Sequence, residues 1–201
     1  MPEIESEKRS LGDSPASDRA GRARVERMAV RAVGGGRYDV VSADDNVYSV
    51  RLPAGRCTCP DHQYRGARCK HLRRVAIEVT EGRVPAPGER EAACGACGER
   101  FFAPEHAPSP VYCESCTLAV GDLVRDRNTG DLLVVAETLA ARADELRIDG
   151  TTVAAYPGNE PYPESDAIVE AVYPPRAGRN PDSVRRYRFP RSRLELKHRP
   201  A

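Results

Sequence analysis

The sequence has little material with which to build one large hydrophobic core. Its 201 residues include no Trp and three Phe, and 40% of the residues are hydrophobic while 30% are charged. Small units bury a smaller fraction of their surface than large ones, so they commonly need metals or disulfides for stability. We therefore expect several small units and not a single large domain.

Long apolar runs are also missing. No stretch approaches the roughly 20 apolar residues that a membrane-spanning helix needs, and the polar N-terminus lacks the apolar core of a secretory signal. We expect a cytoplasmic protein without membrane contact, in which thiols stay reduced. The seven cysteines cannot all pair in disulfides because their number is odd. Metal binding is therefore their predicted role.

Composition and periodicity divide the first half of the chain. Residues 1–24 carry Ser, Pro, Gly and charge without apolar periodicity, and we expect them to be disordered. Residues 25–52 alternate in polarity around glycine and aspartate turns, which predicts short strands. Apolar residues at helical spacing from Leu72 to Val79 predict a helix that ends near Gly82. Residues 25–88 are thus predicted to form one folded unit.

The second half is predicted to be mostly β-structure. Residues 89–118 hold a second cysteine group around a short hairpin that contains Phe101, Phe102, Val111 and Tyr112. Residues 119–201 show short strands with close turns, which predicts a small barrel-like β domain or a curled sheet, with a basic C-terminal tail. The predicted strands are Leu123–Arg127, Leu132–Glu137, Glu145–Ile148, Thr152–Tyr156 and Ala167–Tyr173. For Leu139–Ala143, a helical turn is an alternative that the sequence does not decide. The predicted fold class is α+β, with several small domains.

The first cysteine group is Cys57-Thr-Cys59, followed after nine residues by Cys69-Lys-His71. Alternate residues of an extended chain point the same way, so Cys57 and Cys59 can offer both sulfurs to one ion. We expect Cys69 to precede the helix and His71 to lie in its first turn. The alternative, ordinary buried cysteines, fits poorly with the surrounding Arg, Asp, Thr and Lys. These four residues are therefore predicted to bind zinc.

The neighbouring residues agree with this prediction. Pro60 directly after Cys59 is well placed to end the strand. Asp61 and His62 are further donors in the loop, and we expect them to be turn residues or supports for the ligands. Residues 47–80 resemble the SWIM zinc finger, in which C-x-C and C-x-H lie on a ββα unit separated by a variable spacer.

The resemblance implies a role near nucleic acid. SWIM fingers occur in transposases, chromatin-remodelling ATPases, kinases and partners of recombinase paralogues, where they are credited with contacts to DNA or to protein. A recombinase-like ATPase is accordingly one expected partner. The large catalytic domains of those proteins have no counterpart in this sequence, so an accessory or binding role is implied.

The second cysteine group is Cys94-Gly-Ala-Cys97, followed after fifteen residues by Cys113-Glu-Ser-Cys116. Two C-x-x-C pairs at this distance are typical of a zinc site, and residues 92–118 resemble a zinc ribbon. The alternative is a redox dithiol, but that chemistry uses one such pair in a βαβ setting. Both groups together use all seven cysteines, so two structural Zn²⁺ ions are predicted.

Nothing in the sequence indicates catalysis. Both predicted metal sites have four strong protein ligands, whereas catalytic zinc keeps one position open. Phosphate-loop, serine-hydrolase and zinc-protease motifs are missing from the sequence. We expect a non-enzymatic protein without a small-molecule substrate. An enzyme with an unrecognised site in the β domain is the remaining alternative.

Charge is segregated along the chain. Residues 51–83 carry a formal charge of +5, residues 117–178 carry −6, and residues 179–199 carry +6. A basic finger of this kind predicts contact with nucleic-acid phosphates. The residues predicted to make it are Arg65, Arg68, Lys70, Arg73 and Arg74. One alternative is that the arginines form a solvated face and the basic tail binds the acidic region of the same chain. The other is that the chain is a protein–protein interaction subunit of a DNA repair or recombination assembly.

Overall fold

A computed structural model of the protein describes residues 18–174 and 185–200. The chain divides into two compact units between Arg90 and Glu91. Of the predicted disordered segment, residues 1–17 lie outside the described residues. For the rest of this segment the prediction of disorder is wrong, because Arg19–Val25 form helix α1. Asp18 caps this helix by accepting a hydrogen bond from the Gly21 N–H at 2.5 Å, which satisfies one of the free N–H groups at its start.

The first unit is a four-stranded antiparallel sheet with three helices. Its sheet follows chain order, β1-β2-β3-β4. The elements after α1 are β1 (Met28–Gly34), β2 (Arg37–Ser42), β3 (Val47–Arg51), β4 (Arg56–Cys57), α2 (Pro60–Arg65) and α3 (Lys70–Thr80). Gly36 follows β1 with φ +68°, and a Cβ there would lie 2.8 Å from Pro53 Cγ, so glycine is required at this turn.

The core of the first unit lies between its sheet and α3. Tyr38, Val40 and Val50 on one face of the sheet are buried together with Leu72 and Val75 of α3. This confirms the predicted helical stripe. The segment after α3 joins the same core, because Val84 is buried and the Tyr38 hydroxyl donates to the Pro85 carbonyl at 2.8 Å.

Helix α2 was not predicted from the sequence. Pro60 was expected to end a strand, but it occupies the first turn of α2 instead. Proline suits that position because its missing N–H would have no partner there and its φ is already helical. The helix ends at Gly66 with φ +60°. Because α2 forms here, Cys59 and Cys69 lie at the starts of two successive helices.

The second unit combines a short hairpin with a five-stranded antiparallel sheet. Its strands, numbered along the chain, are β5 (Glu89–Ala93), β6 (Arg100–Pro104), β7 (Leu123–Asp126), β8 (Leu132–Arg142), β9 (Arg147–Ile148), β10 (Thr151–Thr152), β11 (Ala167–Val172), β12 (Arg186–Pro190) and β13 (Leu194–His198). The large sheet has the order β12-β11-β8-β7-β13, and β5-β6 and β9-β10 are separate pairs.

The large sheet is strongly curled. Its opposite edges, β12 and β13, are joined only by a 3₁₀ turn at Arg191–Arg193. A flat five-stranded sheet would place its edges about 19 Å apart, whereas four Cα–Cα steps span at most about 14 Å. The sheet therefore bends its edges towards each other around the core that contains Val124, Leu133 and Leu194.

The α+β class with small units is confirmed, with local corrections. No sheet in the described ranges closes into a barrel, so the barrel-like domain is an open, curled sheet. Leu139 belongs to β8 and not to a helical turn. The hairpin next to the second cysteine group pairs β5 with β6, while Val111 forms only an isolated bridge with Cys94. No helix of the described residues is long and apolar enough to cross a membrane.

Candidate zinc sites and charged surfaces

The first site brings together four side chains from β4, α2 and α3. Cys57 ends β4, Cys59 and Cys69 are the N-cap residues of α2 and α3, and His71 lies in the first turn of α3. Their ligand atoms all lie within 4.8 Å of one another, and all four residues are buried. Cys57 Sγ is 3.8 Å from His71 Nδ1. Three sulfurs and one imidazole nitrogen at these distances fit a tetrahedral zinc ion.

Hydrogen bonding within the first site moves the pKa values of its thiols in opposite directions. Hydrogen bonding with Cys57 lowers the pKa of Cys69 to about 3. The same interaction, together with burial, raises the pKa of Cys57. The Cys59 N–H lies 3.4 Å from Cys57 Sγ and favours its thiolate. Since zinc binds thiolates, its binding releases the thiol protons and removes the repulsion between the sulfurs.

The His71 ring is held by stacking. It lies against Tyr48 with ring centroids 4.3 Å apart and planes 23° apart. Within the described ranges, its buried Nε2 atom has no hydrogen-bond partner. Ligating histidines commonly donate this second ring N–H to a carboxylate or carbonyl. Here the aromatic contact orients the ring instead, and Nδ1 is the nitrogen that faces the sulfurs.

The spare donors next to the site have structural roles. Asp61 accepts two hydrogen bonds from Arg19, each at 2.8 Å, which ties α1 to α2. The hydrogen bonds from Arg19 lower the pKa of Asp61 to about 2. His62 Nδ1 lies 2.8 Å from the carbonyl oxygen of Ala67 and closes the loop before Cys69. Neither residue belongs to the ligand group.

The second site is formed by Cys94, Cys97, Cys113 and Cys116, whose sulfur atoms also lie within 4.8 Å of one another. Cys97 Sγ is 3.7 Å from Cys113 Sγ. The first pair lies in the turn between β5 and β6. Gly95 is needed in this turn because a Cβ there would lie 2.9 Å from Pro110 Cβ. Four sulfurs at these distances fit a closed tetrahedral zinc site.

Backbone N–H groups stabilise negative charge at the second site. The N–H groups of Ala96 and Cys113 each lie 3.4 Å from Cys94 Sγ. Burial acts to raise the pKa of Cys94, but these hydrogen bonds lower it to about 6. Burial raises the pKa of Cys116 to about 12. The hydrogen bond with Ser115 also lowers the pKa of Cys113, so two thiols of the second site favour the thiolate form that zinc binds.

A polar network that the sequence did not predict joins the second site to the large sheet. The Tyr112 hydroxyl donates to Asp166 at 2.9 Å, and the Ser192 N–H donates to the other oxygen of Asp166 at 2.5 Å. The Arg191 guanidinium lies 4.4 Å from the centre of the Tyr112 ring and donates to the Cys116 carbonyl. The zinc-ligand loop and the 3₁₀ turn between β12 and β13 thus belong to one folded unit.

The comparisons with known proteins agree with the first site. Residues 40–79 match the family model of the SWIM zinc finger. This segment is a SWIM zinc finger. The match includes all four ligands of the first site and leaves out α1, β1 and the whole second unit. No curated protein and no solved structure matches the chain.

The two sites predict the metal content of the purified protein. Because both ligand sets are complete, we expect two zinc ions per chain under reducing conditions. Elemental analysis by mass spectrometry measures this ratio, with a Cys97→Ser variant expected to fall to one zinc. One metal or fewer in the wild type, or iron in place of zinc, would contradict the assignment.

The residues predicted to bind nucleic acid fall into two groups. Three of them form ion pairs: Arg65 with Asp61 at 3.4 Å, Lys70 with Glu26, and Arg74 with Glu78 at 2.7 Å. Lys70 and Arg74 are also largely covered, with 21% and 20% of their side chains exposed, which disfavours the predicted contact of these two residues with nucleic acid. Arg68 and Arg73 form no ion pair within the described part of the chain, and the Arg73 Nε–H donates to the Arg68 carbonyl at 3.1 Å.

Arg24 of α1 is a third arginine that forms no ion pair with the described residues. Arg24 lines a groove of about 520 Å³ between α1 and α3 together with Arg68 and Arg73. Among the described residues, its side chain donates only to the Ala20 carbonyl, at 3.5 Å. The sequence analysis missed Arg24 because α1 was expected to be disordered. The signal for this helix is Asp18, a favourable N-cap residue, directly before a short run without Pro.

The prediction of a separate basic tail is wrong for residues 186–198, which form β12, the 3₁₀ turn and β13 of the large sheet. Arginines of this segment lie against acidic residues of the same unit. The ion pairs of the predicted tail are Arg186 and Arg188 with Glu170, Arg193 with Asp126, and Arg199 with Asp122. Hydrogen bonds from Arg188 lower the pKa of Glu170. Residues 179–184 of the predicted tail lie outside the described residues. For the described part, the structure favours intramolecular docking over a phosphate-binding tail.

Proposed function

We propose that the protein is a non-enzymatic zinc-binding adaptor that contacts nucleic acid through its SWIM finger. The observation that carries this proposal is the groove between α1 and α3, where Arg24, Arg68 and Arg73 form no ion pair with any of the residues that the structure describes. Guanidinium groups that lack a carboxylate partner are available to bind phosphate oxygens. Three other basic side chains of α2 and α3, Arg65, Lys70 and Arg74, are paired with carboxylates instead.

The metal site supports binding by fixing the position of these arginines. Arg68 directly precedes the ligand Cys69, and Arg73 lies two residues after the ligand His71. Groups that are held in place before binding lose less conformational entropy when a ligand arrives. Charge acts in the same direction, since residues 1–90 contain 17 Lys and Arg against 13 Asp and Glu. A reducing compartment, as in the cytoplasm, would keep the ligand thiols available for zinc.

The closed metal sites support a binding role over catalysis. Each has four protein ligands, so neither offers zinc an open position for water or substrate. The zinc ions would act as cross-links within each unit. Turnover that survives mutation of the metal ligands would speak for an enzyme instead.

A second candidate function, supported by the charge of the second unit, is a protein contact. Residues 91–201 contain 14 Lys and Arg against 17 Asp and Glu, which disfavours phosphate binding there. Tyr156 and Tyr173 are 37% and 39% exposed, and large rings of this kind are common at protein interfaces. A recombinase-like ATPase that co-purifies with the chain after nuclease treatment would favour this function.

The proposed nucleic-acid contact predicts a change in salt dependence. Each phosphate contact contributes about −0.9 to the slope of log K against log salt on duplex DNA. We expect Arg68→Ala/Arg73→Ala to weaken binding at low salt and to flatten the slope by about 1.8. Fluorescence anisotropy with a labelled duplex measures both quantities.

The control uses two exposed arginines of the second unit. Arg125→Ala/Arg127→Ala removes the same number of charges outside the finger and should leave the slope unchanged. Zinc content confirms that each variant is folded. Wild-type protein that does not bind duplex above background at low salt would overturn the nucleic-acid proposal and move the protein contact ahead.

A further inference from the structure

A second basic surface lies on the sheet of the finger unit. Arg37, Arg51 and Arg56 stand directly opposite one another on β2, β3 and β4. Directly opposed residues of antiparallel strands project from the same face at a spacing of about 5 Å. All three residues are exposed. The three guanidinium groups thus form an arginine ladder, by which we mean Arg37, Arg51 and Arg56.

The ladder is costly unless an anion binds to it. Like charges directly opposite on neighbouring strands are destabilising. The adjacent part of the same sheet does have a counter-charge, because Arg31 pairs with Asp39 at 2.9 Å. None of the ladder arginines forms an ion pair with any residue in 18–174 or 185–200. A bound anion would relieve this repulsion.

The ladder lines a groove whose chemistry suits phosphate. The groove has a volume of about 460 Å³, and Ser49, Thr58 and Gln63 line it together with the three arginines. Its lining contains no carboxylate. Arginine is the preferred residue for planar, two-pronged recognition of phosphate, and neutral hydroxyl and amide groups add further hydrogen bonds. Zinc holds the groove in place, because Cys57 directly follows Arg56.

The ladder and the groove between α1 and α3 face opposite sides of the unit. Residues alternate along β2, so Arg37 points away from α3 while the neighbouring Tyr38 packs against it. On α3, Leu72 and Val75 face the sheet, whereas Arg73 and Ile77 line the groove with α1. The sheet and the helix layer therefore separate the two basic surfaces.

We infer that the arginine ladder is a second phosphate-binding surface, so that one finger unit bridges two nucleic-acid segments. This inference rests on the proposed function and extends it from binding to bridging. A single straight duplex reaches one face of the unit, and the opposite face remains available for another. The recognition is of backbone phosphate, because guanidinium ladders without a neighbouring base-reading element carry no sequence information.

The test counts duplexes per chain with the full-length, zinc-loaded protein. The probes are two 16-base-pair duplexes, one labelled with a fluorescence donor and the other with an acceptor. At low salt we expect two duplexes per chain by sedimentation velocity, and energy transfer that depends on the protein. Arg51→Thr/Arg56→Thr should bind one duplex and reduce the transfer at least 10-fold, and Arg68→Ala/Arg73→Ala should do the same. The four-fold variant should bind none.

Controls separate bridging from loss of structure. Each variant must retain two zinc ions, and the ladder variant should be as protected against hydrogen exchange as the wild type, because it removes repulsion. Arg125→Thr/Arg127→Thr should bind two duplexes. One duplex per wild-type chain, or unchanged transfer in the ladder variant, would overturn the bridging inference and leave the proposed function intact. A wild type that binds no duplex would overturn both.

Discussion

Replacing His71 by alanine is expected to remove one of the two zinc ions and to unfold the first unit. The ligands Cys57, Cys59 and Cys69 belong to the same buried cluster as Tyr38, Val50 and Leu72, so the metal lies within the core of this unit. Structural zinc contributes about 10–16 kcal/mol of apparent binding free energy in small zinc units. Folded domains are stable by only about 5–15 kcal/mol in total. Loss of the metal therefore exceeds what the remaining core can offset.

The second unit should survive this change. Its four cysteines form a separate ligand group, and the chain divides into compact units between Arg90 and Glu91. We expect hydrogen exchange to become fast across residues 28–80 and to stay slow across β7, β8 and β13. Elemental analysis should give one zinc per chain.

His62→Ala is a matched control for this prediction. His62 is a histidine of α2, nine residues before His71 and between the ligands Cys59 and Cys69 in sequence, but it contacts the Ala67 carbonyl and not the ligand group. This variant should keep two zinc ions and a protected first unit. If His71→Ala exposes both units together, the two form one cooperative core. If it keeps two zinc ions, His71 is not a ligand.

Local patterns in the sequence were sufficient for much of the first unit. Ligand spacing identified both metal sites, since C-x-C, C-x-H and C-x-x-C bring donors together over short distances. Apolar periodicity identified α3 and the strands before it, because burial against one face imposes that period. Helix α2 was missed because proline is compatible with both the end of a strand and the start of a helix.

Contacts between distant residues were beyond the sequence. The ion pairs that decide which arginines are free join α1 to the finger, as in Arg19–Asp61 and Lys70–Glu26. The arginine ladder depends on strand register, which counts of charge along the chain do not contain. In the second unit, Arg193 and Asp126 are 67 residues apart in sequence. The curled sheet brings such partners together, and the turn patterns in the sequence did not predict how the sheet curls.

Replacing Asp126 by asparagine is expected to destabilise the second unit by about 3–5 kcal/mol, because it leaves a buried guanidinium without its counter-charge. Asp126 is fully buried and accepts two hydrogen bonds from Arg193, at 2.8 and 2.6 Å. It also accepts the Asn128 N–H at 2.9 Å. Only 13% of the Arg193 side chain is exposed, so water replaces little of the lost interaction. Urea-dependent hydrogen exchange of β7 and β13 measures the change without requiring the whole chain to unfold in one step.

A surface pair and a double variant test the cause of this effect. Asp144→Asn removes the partner of Arg142 in a pair whose side chains are 38% and 32% exposed, and should cost at most about 1 kcal/mol. Asp126→Leu/Arg193→Met removes both buried charges and should be less destabilised than Asp126→Asn, because no unpaired ion remains. If the double variant is as unstable as the single variant, the unit depends on the hydrogen bonds and packing of this pair, and the unpaired charge is not the cause of the instability.

The same pair predicts a pH dependence with a definite sign. Burial acts to raise the pKa of Asp126, but hydrogen bonds from Arg193 and the Asn128 N–H bring it below the ordinary value of 3.8. A carboxyl group whose pKa is lowered by folding contributes its full stability above its unfolded-state pKa. This contribution is lost as the pH falls below 3.8 and through the lower folded-state pKa. The stability difference between wild type and Asp126→Asn should therefore be constant near neutral pH and shrink in that acidic range. Loss of zinc at low pH affects both proteins alike and cancels in the comparison. A difference that stays constant down to pH values well below 3.8 would show that the carboxylate charge of Asp126 does not stabilise the unit.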